Sequence, residues 1–202
     1  MKLFDNSASP FCRKVRVVLH ETGQRDAVEL IHATGNPIAP SAETPTAQNP
    51  LGKIPTLLRD DGPAIYDSRV ICRFLNDHCG GALYPPARIW ETLTLEATGD
   101  GLMDAAVLMV YETRFRPAER RFPEWVEGQW DKIERALAAL EDRWMSHLNG
   151  PLDIGQIAVG CALGYLDFRH PDRDWRKGHV ALADWAAEFS SRPSMQATVP
   201  VA

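Results

Sequence analysis

The chain has 202 residues, of which 45% are hydrophobic and 24% charged, with a formal net charge of −5. That length holds one large core or two small ones, since domains run to about 100–150 residues, and the balance is that of a folded protein, not a disordered or fibrous one. The acidic surplus offers no footprint for nucleic acid, whose binders neutralise phosphates with excess Lys and Arg. No run approaches the ~20 apolar residues that span a bilayer, and Met1-Lys2-Leu3-Phe4-Asp5 lacks the apolar core of a signal peptide. A cytoplasmic protein with neither a nucleic-acid nor a membrane partner is expected. The four cysteines, Cys12, Cys72, Cys79 and Cys161, and the six histidines show no spacing that builds a metal site. No metal is expected, and in a reducing compartment the thiols stay unpaired.

Lys2 to Asp5 reads as a short strand, and Ser9-Pro10 after it is a strong helix start, with serine at the N-cap and proline at the first helical position. Phe11, Val15, Val18 and Leu19 then recur at helical spacing, and Gly23 is placed to end the helix. Arg13, Lys14 and Arg16 form the one short basic cluster, read as a solvated helix face or, for Arg13, as a neighbour of the site below. Ala27 to Ile31 reads as a second strand, followed by a long polar stretch from Ala33 to Pro50 whose length calls for a function. Ile54 to Leu58 and Ala64 to Tyr66, separated by Asp60-Asp61-Gly62-Pro63, form an expected hairpin, and a helix follows from about Ser68 to Cys79. The order strand, helix, strand, strand, strand, helix describes a small α/β domain over residues 1–79.

Gly80-Gly81 and Tyr84-Pro85-Pro86 mark a linker. Residues 86–202 then read as an all-helical domain. Ile133, Leu137, Leu140 and Trp144 share one face of an amphipathic helix, opposite Glu134, Arg135, Glu141 and Asp142. Ile154 to Leu166 is apolar nearly all round and starts at Asp153 with Gln156 three residues on, a variant capping box, so it is expected to be the buried central helix. Leu182 to Phe189 supplies another helix, closed by Arg192-Pro193.

Ser9-Pro10-Phe11-Cys12 sits where a strand ends and a helix begins. Cys-x-x-Cys there would mark a redox domain, but the first position is serine, whose hydroxyl, with the helix N-terminal N–H groups, suits an anion brought to the site. Taken alone, Ser9 reads first as a simple cap, and only its context points to the site. Asn49-Pro50-Leu51-Gly52-Lys53-Ile54-Pro55-Thr56-Leu57 and Asp67-Ser68 follow at further stations. With Asp100 to Val107, Ile157 to Arg169 and Arg192-Pro193-Ser194-Met195, these stretches resemble the glutathione S-transferase family, in its order and spacing, over nearly the whole chain. The resemblance implies a thioredoxin-like α/β N-terminal domain that binds glutathione and an all-α C-terminal domain that holds a second substrate.

The resemblance further implies that Ile54-Pro55 is a cis peptide, so that the Ile54 N–H and C=O pair with the cysteinyl part of glutathione as an added strand would. Asp67 would meet the ligand's α-ammonium, the Ser68 hydroxyl and N–H its α-carboxylate, and Lys53 its glycine carboxylate, unless Lys53 is a solvated loop residue. Ser9 would donate a hydrogen bond to the glutathione thiolate, the co-substrate, which attacks an electrophilic small molecule in a detoxifying conjugation. The second-substrate pocket would lie near Asn6 and Ala8 and along a helix carrying Met103, Val107 and Tyr111, each of which is also readable as core. A homodimer is implied as well, with Ile71, Phe74, Leu75 and Leu93 as apolar candidates near the linker. Two alternatives stay open: thiol exchange or dehydroascorbate reduction through Cys12, and a non-catalytic glutathione or ligand carrier.

Overall fold

The computed structural model describes residues 1–201. The chain forms two compact units, one of Met1–Ile89 joined by the segment from Pro193 onward, the other of Trp90–Arg192. The expected division at residues 80–86 differs from this mainly at the C-terminal end, where the last segment returns to the first unit.

In the first unit, β1 (Lys2–Asp5), β2 (Glu29–His32) and β3 (Thr56–Leu58) form a three-stranded sheet in the order β2-β1-β3. β1 runs parallel to β2, with Leu3 opposite Leu30, and antiparallel to β3, with Leu3 opposite Leu57 and Phe4 opposite Thr56. Helices α1 (Pro10–Glu21) and α2 (Ser68–His78) pack on each other, and Val15, Val18, Leu19, Ile71, Cys72 and Leu75 are wholly buried. Gly23, at φ +67°, turns the chain out of α1 in a conformation that costs glycine no side-chain clash.

Three expectations are corrected here. The second strand starts at Glu29, because Ala27 belongs to a 3₁₀ turn over Arg25–Ala27 and donates its N–H to the Gln24 carbonyl at 3.1 Å. The second arm of the hairpin is a single bridge between Leu57 and Ile65. Pro63 has no N–H to give, and Asp67 already caps α2, so only one residue pair fits between the turn and the helix. The basic cluster of α1 is not solvated: Arg13, Lys14 and Arg16 are all buried.

The buried cations have structural work. Arg13 donates to the Met195 carbonyl at 3.2 Å and Ser194 donates to the Glu21 carboxylate, tying α8 (Pro193–Gln196) to α1. Arg16 lies 3.3 Å from the Asp5 carboxylate and donates to the Ser7 carbonyl at 3.2 Å.

The second unit holds α3 (Ile89–Phe115), α4 (Pro123–Ala139), α5 (Met145–Leu148), α6 (Ile154–Arg169) and α7 (Val180–Ser190). Every residue of α6 from Ile154 to Leu163 is buried, as its all-round apolar character predicts. Its small residues permit this, since a side chain on Gly155 would meet Leu95 at 2.8 Å and one on Gly99 would meet the Ala158 backbone at 2.6 Å. Ile133, Leu137 and Leu140 are fully buried as expected, whereas Trp144 is only half-buried. A π-helical turn over Leu140–Trp144 adds a residue to the repeat and rotates Trp144 away from the stripe. Among the described residues, no helix is long and apolar enough to cross a membrane.

Candidate functional site

β1 hands the chain to α1 through a turn that the Asn6 side chain organises. Its amide donates to the Ala33 carbonyl at 3.1 Å, its oxygen accepts the Ala8 N–H at 3.0 Å, and its carbonyl accepts the Ser9 N–H at 3.0 Å. Arg16, paired with Asp5, pins the Ser7 carbonyl from the other side. Ala8 and Ser9 are both half-buried within this turn. Ser9 is the N-cap, with extended backbone (φ −84°, ψ 125°), Pro10 at the first helical position and its Oγ accepting the Cys12 N–H at 3.3 Å. That bond occupies a lone pair only, so the hydroxyl hydrogen remains available to rotate toward a ligand.

Cys12 is wholly buried beneath this cap, beside the side chains of Ser9 and Asp5. Burial, with the Asp5 charge adding to it, pushes its thiol up to about 12. Burial raises the Asp5 carboxyl too, and the Arg16 charge only partly offsets it. A thiol in that setting is neutral at physiological pH and packs as a small apolar group.

The second station is built by Asn49, a residue to which the motif reading assigned no role. Its amide donates to the Lys53 carbonyl at 3.0 Å and to Thr56 Oγ1 at 3.2 Å, and its oxygen accepts the Leu51 N–H at 3.0 Å. Thr56 closes the loop by donating to the same Lys53 carbonyl at 3.0 Å. The Lys53 side chain itself is exposed. The Ile54-Pro55 peptide is cis, as the resemblance implied, and so is Tyr66-Asp67. Among the described residues no hydrogen bond occupies the N–H or the C=O of Ile54, which leaves an open edge for an added extended segment. The register of Phe4 against Thr56 sets Ile54-Pro55 beside the end of β1, next to the turn that carries Ser9.

The third station is the start of α2. Asp67 caps it, accepting the Arg69 N–H at 3.0 Å and the Arg69 guanidinium at 2.9 Å. Burial pushes the Asp67 carboxyl up, but the hydrogen bonds and charge of Arg69, helped by Lys14, outweigh it and hold the pKa below the ordinary value. Asp67 is therefore an anion at neutral pH with half its side chain exposed, beside a buried Ser68 in the first turn. Lys14 on α1 and Asp67 on α2 sense each other, which places the α2 cap near the first turns of α1. The three stations thus lie at one edge of the first unit. A signal for the role of Asn49 was available in the sequence, since Asn before Pro-x-Gly favours side-chain to backbone bonding in turns.

Met103, Val107 and Tyr111 all lie on α3 of the second unit. Met103 is wholly buried, so Val107 and Tyr111, both half-buried, are the accessible members. Tyr111 packs edge-on to Phe115 at 5.2 Å. No group of three His, Cys, Asp or Glu residues stands close enough to hold a metal among the described residues.

The model of the glutathione S-transferase N-terminal domain matches residues 8–78, and that of the C-terminal domain residues 123–188. The uncharacterized GST-like protein YibF of Escherichia coli K12 is 32% identical over 206 residues, spanning 99% of this chain and 98% of that protein. The chain belongs to the glutathione S-transferase family. Among solved relatives in this family, a glutathione transferase family member from Pseudomonas fluorescens Pf-5 with bound glutathione is 50% identical, with a TM-score of 0.96 over 100% of this chain and 99% of that one. A second crystal structure from that organism, with bound S-(propanoic acid)-glutathione, is 48% identical, with a TM-score of 0.92 and full coverage of both chains. A glutathione S-transferase from Methylobacillus flagellatus KT with glutathione bound is 35% identical, with a TM-score of 0.89 over 99% of each chain. The architecture is the glutathione S-transferase fold, a small mixed sheet with helices in the thioredoxin-like first unit and helices alone in the second.

Proposed function

We propose that the protein is a glutathione transferase that binds glutathione as its thiolate and conjugates it to an electrophilic small molecule. The observation that carries this reading is Ser9: a half-buried N-cap hydroxyl free to rotate its hydrogen toward a ligand, above a cysteine too deeply buried to do the chemistry itself. Glutathione held in solved relatives supports the ligand, and a relative holding S-(propanoic acid)-glutathione, a glutathione whose sulfur carries a carbon substituent, supports the reaction class.

In this mechanism the Ile54 backbone aligns the cysteinyl part of glutathione, Asp67 takes its α-ammonium, Ser68 its α-carboxylate and Lys53 its glycine carboxylate. A free thiol of pKa near 8.5 is only about 3% ionised at pH 7, and lowering it by about 2 units takes roughly 2.7 kcal/mol. A hydrogen bond to a charged group supplies about 1.5–3 kcal/mol, so the Ser9 O–H and the α1 N-terminus together suffice. The thiol proton leaves to solvent and the sulfur forms a bond to the electrophilic carbon. Either a leaving group departs with its bonding pair, or a π pair shifts to the adjacent carbon, which takes a proton. Ala8, in the turn that carries Ser9, is proposed to border the electrophile.

Burial of Cys12 disfavours thiol exchange, which needs an accessible thiolate. Millimolar glutathione is expected to raise the melting temperature by mass action, and a standard aryl halide electrophile is expected to be conjugated. A melting shift without turnover of any electrophile would mark a carrier instead. A homodimer is proposed too, to be checked by light scattering. Ile71 and Leu75 are core residues and do not contribute to its surface, whereas Val70 and Trp90 are exposed, at 49% and 76%.

A further inference from the structure

The loop from Asn49 to Thr56 is closed from within by two buried side chains. Asn49 is 1% exposed and uses every polar atom it has. Its amide donates to the Lys53 carbonyl and to Thr56 Oγ1, and its side-chain oxygen accepts the Leu51 N–H. Its main chain accepts the Gly52 N–H at 2.9 Å and donates to the Pro45 carbonyl at 2.8 Å. Thr56, wholly buried at the start of β3, accepts from Asn49 and gives its own hydrogen to the Lys53 carbonyl. That carbonyl therefore receives two donors, each at 3.0 Å, one for each of its lone pairs.

The doubly held Lys53 carbonyl belongs to the same planar peptide unit as the Ile54 N–H. That unit is trans, so its C=O and N–H point in opposite directions and neither turns without the other. Asn49 and Thr56 hold the carbonyl toward the buried interior, which directs the Ile54 N–H outward, where no acceptor among the described residues meets it. An unrestrained loop peptide would rotate about its flanking φ and ψ angles and lose that freedom on binding a ligand, whereas this one has lost it in advance. A donor fixed in this way suits a carbonyl oxygen of an extended peptide. Asn49 and Thr56 are themselves too deeply buried to touch a ligand.

We infer that Asn49 and Thr56 are positioning residues, which aim the Ile54 N–H at the cysteinyl carbonyl of glutathione without contacting the ligand. This rests on the glutathione reading above. The test is calorimetric titration of two ligands: glutathione, and an analogue in which a trans double bond replaces the Cys–Gly amide and so removes that carbonyl. Both are titrated into the parent protein and into Thr56→Val, Thr56→Ser and Asn49→Ala. The parent is expected to bind glutathione about tenfold tighter than the analogue. Thr56→Val and Asn49→Ala bring that ratio toward one by losing affinity for glutathione while affinity for the analogue holds. Thr56→Ser, which keeps the hydroxyl, keeps the ratio. Amide exchange in the parent is the second measurement, with glutathione protecting the Ile54 N–H and the analogue leaving it unprotected. Equal affinity of the two ligands in the parent, with the Ile54 N–H protected by neither, overturns the inference and leaves glutathione binding standing. A ratio that survives in both Thr56→Val and Asn49→Ala overturns it too, since a lowered melting temperature alone would show that the two side chains only hold the loop together. If the parent binds neither ligand, the glutathione reading falls first and this inference with it. Should Asn49→Ala not fold, the valine and serine variants of Thr56 still decide.

Discussion

The Ser9 hydroxyl oxygen accepts the Cys12 backbone N–H at 3.3 Å, so one side chain caps α1 and still has a hydrogen to give. Ser9→Ala is expected to lose about 1 kcal/mol of stability from the cap. Its distinguishing effect is a rise in the pKa of bound glutathione, read from the thiolate absorbance and the pH profile of conjugation, with glutathione affinity little changed. Ser9→Cys is expected to gain thiol exchange at the expense of conjugation, since a thiol at a helix N-terminus ionises. An Ala variant with the parent's rate and profile would reduce Ser9 to a cap.

Cysteine accessibility tests the burial of Cys12. Cys79 is exposed, while Cys12, Cys72 and Cys161 are buried. A thiol reagent at neutral pH is expected to label one cysteine quickly and three only on unfolding. Cys12→Ala should keep conjugation and lose stability through the small cavity left behind. Fast labelling of Cys12 in the folded protein, mapped by mass spectrometry, would reopen the thiol-exchange reading.

Asp67 carries two roles that one substitution separates. Asparagine is as good an N-cap as aspartate, so Asp67→Asn keeps α2 intact while removing the charge. Glutathione affinity is expected to drop by about 1.5–3 kcal/mol in calorimetry, the value of a charge-assisted bond. The Asp67 pKa is held below the ordinary value, so its contribution to stability is present above the unfolded pKa and is lost as pH falls through the lowered one. The Asn variant should accordingly lose less stability than the parent in acid.

Asp153 supports more than its own helix. Wholly buried, it accepts from the Gly155 and Gln156 N–H groups at 3.0 and 3.3 Å and from Thr92 at 2.9 Å, with His147 at 2.7 Å, while Gln156 reaches back to the Asp153 N–H at 2.9 Å. Asp153→Ala is expected to cost about 3 kcal/mol or more in denaturant unfolding, because the cap is lost and buried donors are orphaned. Asp153→Asn should retain the cap and cost less. An Ala variant within 1 kcal/mol of the parent would contradict this account.

Local grammar was enough for the parts of the fold that depend on neighbours in the chain. Ser9-Pro10 announces α1, Asp153 with Gln156 announces α6, and the all-apolar run from Ile154 announces burial on every side. Each of these is a helix-end or periodicity effect, decided within about four residues.

What depends on distant partners was not legible. The basic cluster of α1 looked solvated because nothing nearby in the chain tells that Arg13 meets the Met195 carbonyl, 182 residues on, or that Arg16 meets Asp5. The hairpin shrank to one bridge because Pro63 and the Asp67 cap compete for the same few residues. The site shows the same division: its residues stood in the sequence at three stations, yet only the pairing of Phe4 with Thr56 sets Ile54 beside the Ser9 turn. The sequence determines which backbone groups each segment can satisfy for itself, and tertiary packing decides which charged side chains are left to face a ligand, because a buried charge keeps its place only where a distant partner arrives to meet it.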